Sequence, residues 1–80
     1  MWTALTDCSK QLKIKSKIRE QAGDHTIIYE IREIEFDQYK LAVISKAGVP
    51  ITDGTQQVLG CDKMIQYNFE VEEPEVATGV

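Results

Sequence analysis

The sequence predicts an all-β protein: a small antiparallel barrel or sandwich of five or six strands, with at most a short helical turn near the N-terminus. Apolar and polar side chains alternate over several short segments, which is the period of a β-strand. Turn-forming Gly, Pro and Asp residues separate these segments, and no segment has a long helical period. We expect one domain over residues 1–72, with an arm at residues 1–10 and an acidic tail at residues 73–80.

The size and charge of the chain limit what it can do. Eighty residues suffice for one domain, but they leave little room for a deep substrate cavity. Residues 1–19 carry five basic residues and one acid, a charge of +4, whereas residues 20–80 carry four basic residues and twelve acids, a charge of −8. The net charge of −4 disfavours non-specific nucleic-acid binding because its field repels phosphate, although a local basic patch can still bind.

The two cysteines, Cys8 and Cys61, belong to no local motif and could be bridged or free. The N-terminus has neither the basic segment nor the apolar core of a secretion signal, so we expect free thiols and a cytoplasmic protein, or a virion protein if the source is viral. No apolar run approaches the ~20 residues that a membrane-spanning helix needs, so we expect no membrane contact.

The first strand is predicted over residues 11–19, after an arm that fits either a short amphipathic turn or an extended chain. Basic residues occupy every second position of this segment, and mostly apolar residues lie between them. The basic row consists of Lys13, Lys15, Lys17 and Arg19. In a β-strand these four side chains would all point to one face of the sheet.

The second strand is predicted over residues 26–36. Its apolar side chains change parity midway, so that Ile34 and Phe36 are out of phase with those before them. A β-bulge at Arg32 or Glu33 would return both sets to the core, and we therefore expect a bulge there.

A third strand begins at Tyr39 and includes residues 41–44, which are apolar at both parities, as in a central strand covered on both faces. Pro50 must lie at a sheet edge or in a loop because proline has no N–H to donate. Asp53 and Gly54 are typical of a two-residue hairpin that leads into a further strand.

The last strand is predicted over residues 65–72, after a turn at residues 60–63. Its odd positions are apolar or aromatic, and its even positions are polar and, at Glu70 and Glu72, acidic. This alternation predicts one core face and one polar face.

No residue pattern predicts catalysis or a cofactor. The one histidine, His25, lies beside a predicted turn, and neither a nucleophile elbow nor a glycine-rich phosphate loop occurs. Cys8, His25 and Cys61 are too few and too widely spaced for zinc, and Asp53 lacks the other carboxylates of a calcium loop. We expect no catalytic residue, metal ligand or small-molecule substrate.

The basic row allows three hypotheses. It could face water at a sheet edge, where lysine prevents aggregation. It could pair with Glu70 and Glu72 if the first and last strands are neighbours and close a barrel, each pair contributing about 0.2–1 kcal/mol. It could also bind a partner, either nucleic acid or an acidic protein surface such as the Glu73 and Glu75 tail of a second copy.

These patterns favour a non-enzymatic protein-interaction module, such as a small structural subunit of a larger assembly, for example a virion decoration or adaptor protein. One alternative is a small nucleic-acid-binding β-barrel of the oligonucleotide-binding type, which is disfavoured because Tyr29, Tyr67 and Phe69 are expected to face the core. Another is an acidic inhibitor that mimics phosphate charge. The predicted partner-binding residues are Lys13, Lys15, Lys17, Arg19, Glu70, Glu72, Glu73 and Glu75.

Overall fold

The computed structural model describes residues 1–72, and within them it contains seven strands and two short helices. In chain order the elements are β1 (Trp2–Ala4), α1 (Cys8–Gln11), β2 (Lys17–Ala22), β3 (His25–Glu35), β4 (Gln38–Lys46), β5 (Val49–Pro50), β6 (Gln56–Gly60), α2 (Cys61–Gln66) and β7 (Glu70–Glu72). Every strand pairing is antiparallel. The predicted all-β class is therefore confirmed.

The strands form one sheet in the order β1-β7-β2-β3-β4-β5, and β6 also pairs with β4. β5 pairs with residues 45–46 of β4, and β6 pairs with residues 38–42. β2, which contains the end of the first predicted strand, is a neighbour of the last strand β7, as the charge-ladder hypothesis requires. β1 and β5 are nevertheless separate edges, and the sheet is not closed. The predicted tail at residues 73–80, with Glu73 and Glu75, lies outside the described residues.

The central β3–β4 hairpin confirms the predicted bulge but not its consequence. The register shifts between Ile31 and Glu33, which leaves Arg32 without a partner in the pairing. The apolar side chains beyond the bulge nevertheless remain outside the core, since Ile34 is 38% exposed and Phe36 is 94% exposed. The expectation that the bulge would bury them is wrong: Ile34 lies opposite the buried Tyr39 but stays at the margin of the core, and Phe36 lies in the turn itself, beyond the last paired residues.

The first predicted strand is wrong over residues 11–16. Gln11 ends α1, and the chain then turns so that the N–H of Ser16 donates to the carbonyl of Lys13 at 3.0 Å. Lys15 has a φ of 76°, which no β-strand accommodates. The alternating lysine and apolar residues of this segment therefore lie in a turn and not in a strand, and β2 begins only at Lys17.

The last predicted strand is wrong over residues 65–69. Residues 61–66 form α2, whose one fully buried side chain is that of Met64, and β7 comprises only Glu70–Glu72. A six-residue helix is too short to show a 3.6-residue period, so the alternation of the residues that follow dominated the pattern. The apolar odd positions do not share one face, because Tyr67 is exposed and Phe69 is buried.

The connection at Asp53 and Gly54 is a loop and not the predicted hairpin. The strands on either side of it both pair with β4 and not with each other. Asp53 instead accepts hydrogen bonds from the backbone N–H of Thr55 at 2.9 Å and from its hydroxyl. Pro50 lies at the sheet edge, as expected.

The core lies on one face of the sheet, beneath α1, α2 and the chain that joins β1 to β2. Its buried members are Leu5, Cys8, Leu12, Ile18, Tyr29, Ile31, Tyr39, Leu41, Met64, Phe69 and Val71. The rings of Tyr29 and Phe69 stack with their centroids 5.7 Å apart. The two helices therefore act as the cover of an otherwise open sheet.

A disulfide joins the two helices of this cover. Cys8 is the first residue of α1, Cys61 is the first residue of α2, and their Cα atoms are 6.1 Å apart. The expectation of free thiols is wrong, because the fold brings together two residues that are 53 positions apart and that no local pattern connects.

We predict that the disulfide provides a large part of the stability. Closing a loop of this length lowers the entropy of the unfolded chain by an amount equivalent to about 4 kcal/mol. The double variant Cys8→Ser/Cys61→Ser should lose about that much free energy of unfolding in urea denaturation. The wild type reduced with dithiothreitol should lose the same amount relative to the oxidised wild type. A loss below ~1 kcal/mol in both experiments would contradict a stabilising bridge.

Candidate protein-interaction surfaces

The structure separates the four residues of the predicted basic row. Lys13 and Lys15 lie in the turn before β2, whereas Lys17 and Arg19 lie within β2. Lys17 is opposite Glu30 of β3, and Arg19 is opposite Ile28 on one side and Glu70 on the other. The row is therefore not one continuous cationic face, and its members have different surroundings.

Arg19 belongs to a cluster that connects three strands. Its Nε lies 2.7 Å from Oε1 of Glu70 in β7, and its guanidinium lies 4.6 Å from the ring centroid of Trp2 in β1. Such a cation–π contact adds to the ion pair. This is the one pair of the predicted charge ladder found among residues 1–72, since Glu72 lies opposite Trp2. The cluster fixes the register of β1, β7 and β2.

The segment at residues 13–17 forms a protruding basic turn. Backbone hydrogen bonds attach it to β3: the N–H of Lys15 donates to the carbonyl of Ile31 at 2.8 Å, and the N–H of Ile31 donates to the carbonyl of Ser16 at 2.9 Å. All three lysines of the turn are exposed, and none makes an ion pair with another residue of the described chain. Ile14, between two of them, is 49% exposed.

The hairpin tip, residues 33–37, carries the most exposed aromatic side chain of the described residues. Phe36 and Asp37 form a two-residue turn between the paired residues Glu35 and Gln38. Phe36 has a φ of 56°, a left-handed conformation that is unfavourable for a bulky side chain. The carbonyl of Asp37 accepts the N–H of Cys61 at 3.2 Å, so the tip is held against the start of α2.

The hairpin tip is also acidic. Glu33, Glu35 and Asp37 are exposed there, and Glu33 is paired with Lys40 at 3.5 Å. Burial, followed by the negative charges of Asp37 and Asp7, raises the pKa of Tyr39, which is buried directly opposite Ile34 of the tip. The tip therefore combines an aromatic side chain with a negative potential.

An open cavity of about 320 Å³ lies between the β3–β4 hairpin and the loop that precedes β6. Its lining includes the cations Arg32 and Lys40. Both are already paired, Arg32 with Glu30 at 3.1 Å and Lys40 with Glu33. These ion pairs weaken the attraction of the cavity for an anion, so we do not assign a ligand to it.

Two titratable side chains that could take part in chemistry, Tyr29 and His25, have structural partners. The hydroxyl of Tyr29 donates to Glu20 at 2.8 Å and accepts from Gln57 at 3.3 Å, and burial raises the pKa of Tyr29 far above its ordinary value. His25 lies beside Asp24 at the exposed β2–β3 turn, with Nδ1 3.1 Å from a carboxylate oxygen. Among the described residues, no group of three or more His, Cys, Asp or Glu could hold a metal ion.

Comparison with known proteins gives no further indication. No protein-family model matches the sequence, no curated protein matches it, and no solved structure matches its fold. Within residues 1–72, neither helix has the length and apolar character needed to cross a membrane. The surfaces must therefore be judged on their own chemistry.

Sequence reasoning missed the hairpin tip because it assigned Phe36 to the core. The sequence did contain one indication that Phe36 lies at a turn. It is followed directly by Asp37, a turn-forming residue, and only two residues separate it from Tyr39, where the next predicted strand begins. A large aromatic residue at a turn is unusual in sequence terms, and alternation alone does not reveal it.

We predict a measurable coupling between Arg19 and Glu70. Both side chains are about a third or more exposed, at 34% and 40%, so solvent screening limits the pair to about 0.5–1 kcal/mol. A double-mutant cycle with Arg19→Ala and Glu70→Ala should give this coupling in urea denaturation. The longer and more exposed Lys40–Glu33 pair is the matched control, with a coupling of about 0.2 kcal/mol, and equal couplings would contradict the assignment.

We also predict that Phe36 destabilises the free protein. Phe36→Gly removes a left-handed strain at the cost of some backbone entropy and loses almost no burial, so the free energy of unfolding should rise by about 0.5–1 kcal/mol. Ala47→Gly is the matched control, because Ala47 has a φ of 54° in the β4–β5 turn and should respond similarly. A loss of more than 1 kcal/mol in Phe36→Gly alone would show that the ring packs within the monomer.

Proposed function

We propose that this chain is a non-enzymatic protein-interaction module that binds a protein partner through the end of the sheet that carries the hairpin tip. The observation that supports the proposal is Phe36, a 94% exposed aromatic ring in a left-handed backbone conformation at the turn. Two unfavourable features, backbone strain and an apolar side chain in water, therefore occur together at this one residue. Such violations of local rules concentrate at functional sites.

The hairpin tip has the physical properties of an anchor. Aromatic side chains contribute disproportionately to binding energy when a partner desolvates them. The long β3–β4 pairing and the hydrogen bond from Cys61 to Asp37 hold the turn in place before binding. A preorganised anchor loses little conformational entropy on binding, which favours affinity from a small surface.

The finer proposal is a small structural subunit of a larger assembly, of which a virion decoration or adaptor protein would be one case. The disulfide supports a location outside a reducing cytosol, in place of the cytoplasmic location expected from the sequence. The disulfide also suits a structural subunit that must stay folded for long periods, because it stabilises a domain whose helices have only four and six residues.

A nucleic-acid-binding role is the second candidate, and the basic turn supports it. Lys13, Lys15 and Lys17 are exposed and unpaired within the described chain, so they are available for phosphate contacts. Replacing all three with glutamine should abolish any salt-sensitive retention of single-stranded oligonucleotide. If the wild type shows no such retention at low salt, this candidate fails.

Cross-linking from the hairpin tip tests the main proposal. A photoreactive phenylalanine analogue such as benzoylphenylalanine, placed at position 36, should form a protein cross-link in an extract of the cells that produce the chain. Excess unlabelled wild-type protein should suppress a cross-link to a different protein, and excess Phe36→Gly protein should not, because the anchor is missing. A cross-link to a second copy of the chain would instead have twice the mass of the chain, and excess wild type would not suppress it.

The matched control carries the same analogue at Val49, which is 60% exposed in the β4–β5 turn region at the opposite end of the sheet. Position 49 should give no product that the wild type suppresses. Equal products at both positions, or none at position 36, would contradict binding through the tip.

A further inference from the structure

Two exposed segments have complementary sequences. The basic turn, residues 13–17, is Lys-Ile-Lys-Ser-Lys, and the hairpin tip, residues 33–37, is Glu-Ile-Glu-Phe-Asp. Each carries three charges at alternate positions, of opposite sign in the two segments, and each has isoleucine at its second position. Matching of charge and apolar groups in this way selects partners and fixes their register.

The two segments lie at the same end of the sheet. The basic turn is hydrogen-bonded to β3 at Ile31, and β3 then continues to Glu35 before the chain turns. Four residues at about 3.3 Å each separate these points by about 13 Å along the strand. No ion pair joins the two segments within residues 1–72, so both are available to another molecule.

We propose that the partner of this end of the sheet is a second copy of the same chain, and that the two copies are related by a two-fold axis. Because both segments lie at one end, the basic turn of each copy can meet the hairpin tip of the other. The same contact then forms twice, which is an isologous dimer that closes on itself. This inference rests on the proposed protein-binding function and names the partner.

The chemistry of the contact is complementary in both its polar and apolar parts. Phe36 and Ile34 of the tip would lie against the exposed Ile14 of the other copy's turn, which removes apolar surface from water. The lysines of the turn would pair with Glu35 and Asp37, whereas Glu33 would have to share its carboxylate with Lys40, 3.5 Å away in the same chain. The paired segments are short, so the dimer should be weak, dissociating in the micromolar range.

A charge-exchange experiment tests this dimer on the full chain. One variant, Lys13→Glu/Lys15→Glu, has an acidic turn, and the other, Glu35→Lys/Asp37→Lys, has a basic tip. In either variant alone the turn and the tip have net charges of the same sign and repel each other. Each variant should therefore be monomeric in sedimentation equilibrium, with the affinity of self-association reduced at least about 100-fold. Mixed in equal amounts, the two should form a heterodimer, because every turn then meets a tip of opposite sign.

The control Lys10→Glu/Lys46→Glu has the same net charge as the first variant and leaves both segments intact. It should dimerise like the wild type. A monomeric wild type at several hundred micromolar, a dimer that persists in either reversed variant, or a mixture that stays monomeric would overturn the two-fold dimer. Cross-linking from position 36 to a different protein, with a monomeric wild type, would overturn it while leaving the proposed protein-binding function intact.

Discussion

The bond between Cys8 and Cys61 is the constraint on which the rest of the structure depends. An open antiparallel sheet has to cover one apolar face, and here the cover consists of helices of four and six residues. Helices of this length are not stable alone. The bridge joins them at their first residues, and Leu12 and Met64 can then pack against the sheet.

The same arrangement explains why we propose one end of the sheet as the binding surface. The helices cover the part of the sheet that carries Ile18, Ile31 and Leu41, and the core extends to Tyr39, which lies opposite Ile34. The last residues of the β3–β4 hairpin lie at the margin of this cover, where Ile34 is 38% exposed and Phe36, within the turn, is 94% exposed. The start of α2 nevertheless holds Asp37 by a backbone hydrogen bond. This hydrogen bond and the long β3–β4 pairing hold the exposed hairpin tip in place, as a preorganised binding surface requires.

The sequence allowed correct prediction where structure depends on local periodicity. The all-β class, the long second strand with its bulge at Arg32 and the edge position of Pro50 were all predictable in this way. The turn before β2 and helix α2 were not, because tertiary packing overrides alternation in segments of five or six residues. The partner of Arg19 was correctly expected on the last strand, whereas the lysines of the same row lie elsewhere. Phe36 was misplaced because alternation does not show at which residue a strand gives way to its turn.

Native-state hydrogen exchange in the oxidised and reduced protein tests the role of the bridge most directly. If the bridge holds the cover on the sheet, the slowest amides of β3 and β4 should exchange about a thousandfold faster after reduction, since ~4 kcal/mol of stability is lost. The amides of α1 and α2 should lose protection to the same extent. Unchanged exchange in β3 and β4 after complete reduction would show that the sheet and its core are stable without the disulfide, and would contradict this account.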